Sequence, residues 1–186
     1  GTRVVHKPRH MAVDHAYQQV LSRVNDWAGT ELRTCGVVTG PDHGWMEFVE
    51  TREVPAERRL DYFERVGQLT AVAYLLRGHD MPHGNLVCDG VGPVAIDLET
   101  ILRPTLADPD QPAILPHPHP ITDSVLSIGL LPTRVANGTK GAVDLGGIGR
   151  ADGMLSPFKS MVVHNGGRDD MHLELERVVL SGRQHA

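Results

Sequence analysis

Three polar residues frame the chemistry open to this chain: Asp80, Asn85 and Asp97. Asn85 and Asp97 flank two short apolar runs, Leu86-Val87-Cys88 and Val94-Ala95-Ile96, joined by the turn-forming string Asp89-Gly90-Val91-Gly92-Pro93. That pattern predicts a β-hairpin with a five-residue loop. With residue 86 opposite 96 and 88 opposite 94, Asn85 and Asp97 leave its open end side by side, about 5 Å apart at Cα. An amide oxygen and a carboxylate at that spacing can share one hard cation. Magnesium is the natural choice, because it takes oxygen ligands and keeps places for water and phosphate. Asp80 stands in the loop just before, placed to accept a proton from a hydroxyl.

The elements that must hold these groups follow from periodicity. Arg3 to Lys7 reads as a short strand ended by Pro8. Val13, Ala16, Tyr17, Val20, Leu21, Val24 and Trp27 recur at helical spacing, which predicts a helix from about Asp14 to Gly29. Leu32 to Thr39 and Trp45 to Glu50 favour strands around the turn Gly40-Pro41-Asp42-His43-Gly44. A long helix follows Pro55, with Leu60, Phe63, Val66, Leu69, Val72 and Leu76 as its expected buried face and Gly78 as its stop. Trp45 and Phe48 are expected in the core. Residues 103–120, rich in Pro, Asp and His, read as irregular, and Thr122 to Leu131 as a short apolar helix ending at Pro132. Gly-rich loops run on to about Gly153, with strands expected at Lys159–His164 and Met171–Leu180.

In that order the features match a phosphoryl-transfer site. Protein kinases place a catalytic Asp and an Asn in an H-R-D-x-x-x-x-N loop, then a hairpin and a metal-binding Asp. Asp80-x4-Asn85, hairpin, Asp97 has the same order and spacing. Lys7, at a strand end ahead of a helix, sits where a phosphate-binding lysine would, and Trp45 to Glu50 falls where an interlobe hinge would lie.

Composition sets the bounds. The chain has 186 residues, 40% hydrophobic and 22% charged, with a net charge of −5, which describes an ordinary globular domain or part of one and argues against nucleic-acid binding. Cys35 and Cys88 are too few and too far apart for a disulfide framework or a CxxC metal site, so a cytoplasmic setting is expected. No apolar run approaches the roughly 20 residues of a membrane span. The chain opens directly on a strand, and it is read as a piece of a larger domain.

Several strings resemble one family: Val5-His6-Lys7-Pro8-Arg9, His43-Gly44-Trp45-Met46-Glu47-Phe48-Val49, Ile96-Asp97-Leu98-Glu99-Thr100 and Ser124-Val125-Leu126-Ser127-Ile128-Gly129-Leu130-Leu131-Pro132 are similar to the dehydratase domain of type 2 lanthipeptide (lantibiotic) synthetases. The resemblance implies an α+β, kinase-like fold related to lipid kinases. It is expected to be incomplete here, with part of the N-lobe and the catalytic-loop and metal-hairpin region. Residues 1–150 would belong to that domain, and 151–186 to its continuation or to an unassigned tail. The implied activity is ATP-dependent phosphorylation of Ser and Thr in a precursor peptide, followed by phosphate elimination to dehydroalanine or dehydrobutyrine. ATP and Mg2+ are the implied cofactors, the precursor peptide the implied partner, and a zinc cyclase domain is expected elsewhere in the full-length protein. The resemblance implies catalytic roles for Asp80, His83 and Lys7, cofactor contacts from Lys7 and Glu47, and metal ligation by Asn85, Asp97 and Glu99. One position departs from the family's D-x-H-x-x-N loop: Pro82 stands where that pattern has His, and His83 follows it.

Other readings remain open from sequence. The chain could be a kinase-like enzyme for a small molecule or lipid, or a non-catalytic truncated or degenerate fragment. Asp80 could cap a turn, Asn85 could take a left-handed turn conformation, and Asp97 could cap a short helix. His117-Pro118-His119 reads as plain loop, Gly146-Gly147-Ile148-Gly149 lacks the GK[ST] ending of a phosphate loop, and His164 and His172 read as unrelated surface residues.

Overall fold

The computed structural model describes residues 3–79, 81, 85–102, 124–136, 142–144, 146–148, 153, 155–156 and 158–179. Its elements are β1 (Val4–Lys7), α1 (Ala12–Ala28), β2 (Val37–Thr39), β3 (Gly44–Glu47), α2 (Arg59–Leu75), β4 (Leu86–Cys88), β5 (Pro93–Ala95), β6 (Arg134–Ala136), β7 (Ala142–Asp144), β8 (Ser160–His164) and β9 (His172–Glu176). Short 3-10 turns occupy Ala56–Arg58 and Val125–Ile128. This is an α+β arrangement: one three-stranded antiparallel sheet in the order β1-β3-β2, and three two-stranded hairpins.

The first sheet is assembled around β3, which pairs Met46 with both Val5 and Val37. Side chains alternate across a strand, so Val5, Met46 and Val37 share one face. Beneath that face Met11, Cys35, Met46 and Val94 form a small buried cluster. Gly44 is required there, because a Cβ would come 2.5 Å from the Val38 carbonyl oxygen and 2.6 Å from Met11 Cγ. Trp45, on the other face, is exposed, and Phe48 is exposed just beyond the strand, so neither is the core residue that its type suggests.

The larger core joins α1, α2, the β4–β5 hairpin and the Val125–Ile128 turn, with Tyr17, Leu21, Tyr62, Leu69, Leu86 and Ile128 near its centre. Each aliphatic side chain among them contributes roughly 1.5–3 kcal/mol by leaving water. Helix α1 begins two residues before its expected start and ends at Gly29, which takes the left-handed conformation (φ 63°). Trp27, counted in its apolar pattern, is 88% exposed.

Helix α2 corrects the expected stripe. Leu60 is 82% exposed and Phe63 47% exposed, while Tyr62, Val66, Leu69, Thr70 and Ala73 are buried. From Leu60 to Val72 the expected residues are spaced by three and drift around a 3.6-residue helix, so Leu60 and Phe63 leave the face on which Val66, Leu69 and Val72 are buried. The helix also stops earlier than Gly78. Leu75 is its last residue, and Arg77 makes the left-handed turn at φ 51°. Gly78 serves close approach instead: a Cβ there would meet the Ala73 carbonyl oxygen at 3.1 Å and Ile101 Cγ2 at 3.3 Å.

The remaining elements differ in detail. Only Val37–Thr39 of the expected 32–39 strand is paired. The expected 122–131 helix is the 3-10 turn Val125–Ile128, capped by the Ser124 hydroxyl, which accepts from the Leu126 N–H. Within the segment read as Gly-rich loop lies the hairpin β6–β7. The β8–β9 pair forms near its expected place and sets His164 opposite His172, stacked at 5.2 Å, so these two histidines are neighbours after all. No described residue from 155 to 179 belongs to either apolar cluster.

Candidate functional site

Strand β1 ends at Lys7, and Pro8 turns the chain so that Arg9 lies between β1 and α1. Arg9 is the hub of the polar cluster found there. Its Nη1 reaches Asp14 Oδ2 at 2.7 Å and its Nη2 reaches Asp14 Oδ1 at 3.1 Å, a two-pronged contact to a carboxylate that is 0% exposed. Such fork-to-fork pairing is among the stronger side-chain hydrogen bonds. Asp14 also sits in the first turn of α1, where the helix dipole favours negative charge. The same guanidinium continues outward, with Nη2 at 3.2 Å from Asp97 Oδ1 and Nε at 3.4 Å from Glu99 Oε2. Lys7 Nζ stands 3.8 Å from the same Asp97 oxygen. The hydrogen bond to Asp14 raises the Arg9 pKa. Partial burial opposes this but is outweighed by the charges and hydrogen bonds of Asp14 and Asp97 together.

Asp97 and Glu99 converge because Leu98 does not. Leu98 is fully buried in the main core, while its two neighbours Asp97 and Glu99 stay partly exposed and meet the same guanidinium, and a turn closed by the Ile101 N–H on the Leu98 carbonyl at 3.3 Å begins here. The stretch is fastened at its far end. Thr100 Oγ1 donates to the His79 carbonyl, the His79 N–H donates back to the Thr100 carbonyl at 3.4 Å, and the Leu102 N–H donates to the Leu76 carbonyl at 2.9 Å. The carboxylates are thus held against the end of α2.

The hairpin before them is one residue out of the expected register. Leu86 pairs with Ala95, Val87 with Val94 and Cys88 with Pro93, and the Ile96 N–H donates to the Asn85 carbonyl at 3.0 Å. The loop is therefore Asp89–Gly92, and Asn85 stands opposite Ile96 rather than Asp97. The cause is the Asp89 side chain, whose Oδ1 accepts from both the Val91 and Gly92 N–H groups at 2.9 Å and closes a tighter turn than five residues need. Gly90, at φ 89°, supplies the left-handed residue of that turn.

Asp80 and His83 lie outside the described residues, as does Pro82. Met81, between them in sequence, is buried, and its N–H donates to the Ile128 carbonyl at 2.8 Å. Gly147 backs the same point: a Cβ on it would collide with the Met81 carbonyl oxygen and lie 2.8 Å from Leu130 Cδ1. The Gly147 and Ile148 N–H groups donate to the carbonyls of Gly129 and Leu130. Gly146 and Gly147 therefore serve close packing, Gly146 against Leu131 and Pro132 and Gly147 against Met81 and Leu130.

A cleft of about 170 Å³ opens between the inner face of the first sheet and the β4–β5 hairpin. Val5, Met46, Phe48, Val49, Val87 and Ile96 give it apolar walls. Lys7 lines it too, and so connects the cleft to Asp97. Glu47 contributes to the wall, but its carboxylate is engaged elsewhere: it accepts from the Gly36 N–H at 3.1 Å and from Arg33 Nη2 at 2.5 Å. Those bonds, Gly36 first and then Arg33, hold the Glu47 pKa below the usual carboxylate range. Arg33 also reaches Asp89 at 3.3 Å, which ties the sheet to the hairpin turn.

The donor set suits one hard cation in company with phosphate. Asp97 and Glu99 already converge on a single cationic group, the Arg9 guanidinium. No cluster of three or more His, Cys, Asp or Glu among the described residues is arranged to hold a metal unaided. Magnesium is commonly held by one or two carboxylates and completed by water and phosphate oxygens, so two converging carboxylates match it.

The structure therefore brings together Lys7, Asp97 and Glu99, places Asn85 at the adjoining hairpin end, and sets Glu47 on the cleft wall. Sequence reasoning missed Arg9 and Asp14. Arg9 stands inside one of the strings that carry the family resemblance, and Asp14 lies in the apolar stripe of α1, between Val13 and Tyr17. A charge on a core-facing position is the signal that could have exposed the pair.

Residues 1–186 match the family described as "Domain of unknown function (DUF4135)". The "Lacticin 481/lactococcin biosynthesis protein LcnDR2" of Lactococcus lactis subsp. lactis is 24% identical to this chain over 185 residues. That alignment covers 93% of the chain and 20% of the relative, so the chain spans about a fifth of the relative's length.

Proposed function

The chain belongs to the DUF4135 family, and on that premise we propose that it works in lanthipeptide biosynthesis as part of a kinase-like dehydratase, phosphorylating Ser and Thr of a precursor peptide with ATP. The relative's role in lacticin 481 biosynthesis supports the pathway class. The observation that carries the chemistry is the convergence of Asp97 and Glu99 on one cation, with Lys7 3.8 Å from Asp97 and lining an apolar cleft.

In this reading the cleft takes the flat, weakly polar base of ATP, and the sheet and hairpin exclude water from it. Lys7 binds phosphate oxygens at the cleft's edge. Asp97 and Glu99, with Asn85 from the hairpin end, hold the metal. Held there, Mg2+ would supply charge neutralisation for the triphosphate. Asp80 accepts the proton of the peptide hydroxyl while its oxygen bonds to the γ-phosphorus and the bond to ADP breaks. The family resemblance gives His83, three residues on in sequence, a catalytic role in the same reaction. Removal of the Cα proton and departure of the Cβ phosphate then give the dehydro residue. Rate enhancement comes from positioning and charge complementarity.

The test is mass spectrometry of a precursor peptide after incubation with ATP, Mg2+ and the full protein that carries this chain. Phosphate adducts or loss of water at Ser and Thr are expected. An unmodified peptide, with ATP consumed on a small molecule instead, would overturn the reading.

A further inference from the structure

We propose that Arg9 is a positioning residue that stands in for the metal: anchored on Asp14, it holds Asp97 and Glu99 together until a divalent cation displaces its outer contacts. This rests on the reading of Asp97 and Glu99 as metal ligands given above. Three observations carry it. The bidentate contact to Asp14 is the tighter one, at 2.7 and 3.1 Å, and it faces a fully buried carboxylate. The contacts to Asp97 and Glu99 are longer, at 3.2 and 3.4 Å, and face carboxylates that are 35% and 59% exposed. The same Asp97 oxygen also receives Lys7, so a metal arriving there competes with two cationic side chains.

The asymmetry makes the exchange one-sided. Releasing Asp14 would leave a buried charge unpaired, which is strongly unfavourable. Releasing Asp97 and Glu99 breaks partly exposed ion pairs, which are weak. A divalent cation therefore takes the two outer carboxylates and leaves Arg9 seated on α1. Without metal, the guanidinium keeps two like charges from repelling each other and keeps their oxygens converged. Metal affinity in the absence of nucleotide is lowered as a result, and phosphate oxygens arriving with the metal restore it.

The experiment measures Mn2+ affinity by electron paramagnetic resonance, without nucleotide, in the full protein that carries this chain. Two double variants remove the competing cation without stranding the buried carboxylate: Arg9→Met with Asp14→Leu, and Arg9→Gln with Asp14→Asn. Circular dichroism checks that each is folded. Both are expected to bind Mn2+ about threefold to tenfold more tightly than the parent, in keeping with the small worth of partly exposed ion pairs. Adding Asp97→Asn is expected to abolish that gain. Unchanged or weaker Mn2+ binding in the folded variants overturns the inference, as does failure of every protein to bind Mn2+. A general structural role for Arg9 does not produce tighter binding. If neither variant folds, the Nε–H resonances of arginine-labelled parent protein decide: one must shift on adding Mg2+, and none shifting overturns the proposal. Phosphate transfer by the parent is scored separately, so failure of the phosphotransfer reading and failure of the Arg9 inference are distinguishable.

Discussion

Replacing Arg9 alone by Met should destabilise the protein far more than replacing Arg9 and Asp14 together. Asp14 is 0% exposed, and among the described residues the side-chain hydrogen bonds it accepts are the two from Arg9. Removing one partner of a buried pair leaves an uncompensated charge, at a cost of about 3–5 kcal/mol. For a domain of this size roughly 2–4 °C of melting temperature is lost per kcal/mol, so the expected drop is on the order of 6–20 °C. Arg9→Met with Asp14→Leu fills similar volume with apolar atoms and removes both charges, so most of the loss should return. Thermal unfolding followed by circular dichroism, with the two single variants and the double, completes a double-mutant cycle. A coupling energy under about 1 kcal/mol, the range of exposed ion pairs, would refute the claim that this pair is a buried anchor.

Other elements make their own predictions. Burial pushes the Cys35 thiol up to about 11 from 9.0, so alkylation of the native protein at pH 8 should be slow and should become fast on unfolding. Because the folded state holds that proton more tightly, stability should also decline as pH rises from 9 toward 11; a rising melting temperature over that interval would contradict it. The Glu47 pKa is lowered on folding, so its contribution is complete above the unfolded value of 4.5 and is lost as pH falls through the folded value. Glu47→Gln should therefore flatten the acid limb of the stability curve, read by urea unfolding from pH 3 to 6. Gly147→Ala should cost about 1–3 kcal/mol through overpacking against Met81 and Leu130, and peptide phosphorylation should fall with it because Met81 adjoins Asp80. Thermal unfolding combined with initial rates checks both effects.

Much of the framework was legible in sequence, for identifiable reasons. Both long helices, the first-sheet strands and the 86–96 hairpin carry strong periodicity or turn signals, and each formed near its expected place. What could not be read was decided by tertiary context. The hairpin register turned on a side chain, Asp89, folding back on its own backbone. The buried face of α2 turned on which apolar residues met a core, and Leu60 and Phe63 lay outside the winning stripe. In the candidate site, Lys7, Asp97 and Glu99 were singled out from type, order and family resemblance, and the structure places them in one ion-pair cluster around Arg9. Arg9 and Asp14 were not found, because five residues in sequence conceal a contact whose importance comes only from complete burial. Asp80 and His83 lie outside the described residues, so their reading rests on spacing and resemblance.

The central claim is that Asp97 carries the metal for phosphoryl transfer. It is tested most directly by initial rates of γ-phosphate transfer from ATP to the precursor peptide, comparing the full parent protein with Asp97→Asn at saturating Mg2+. The neutral amide keeps the size of the side chain while weakening its hold on the metal. The account predicts a rate loss of about a hundredfold or more, the scale on which loss of one preorganised electrostatic contact is felt. Transfer by Asp97→Asn at the parent rate would contradict it.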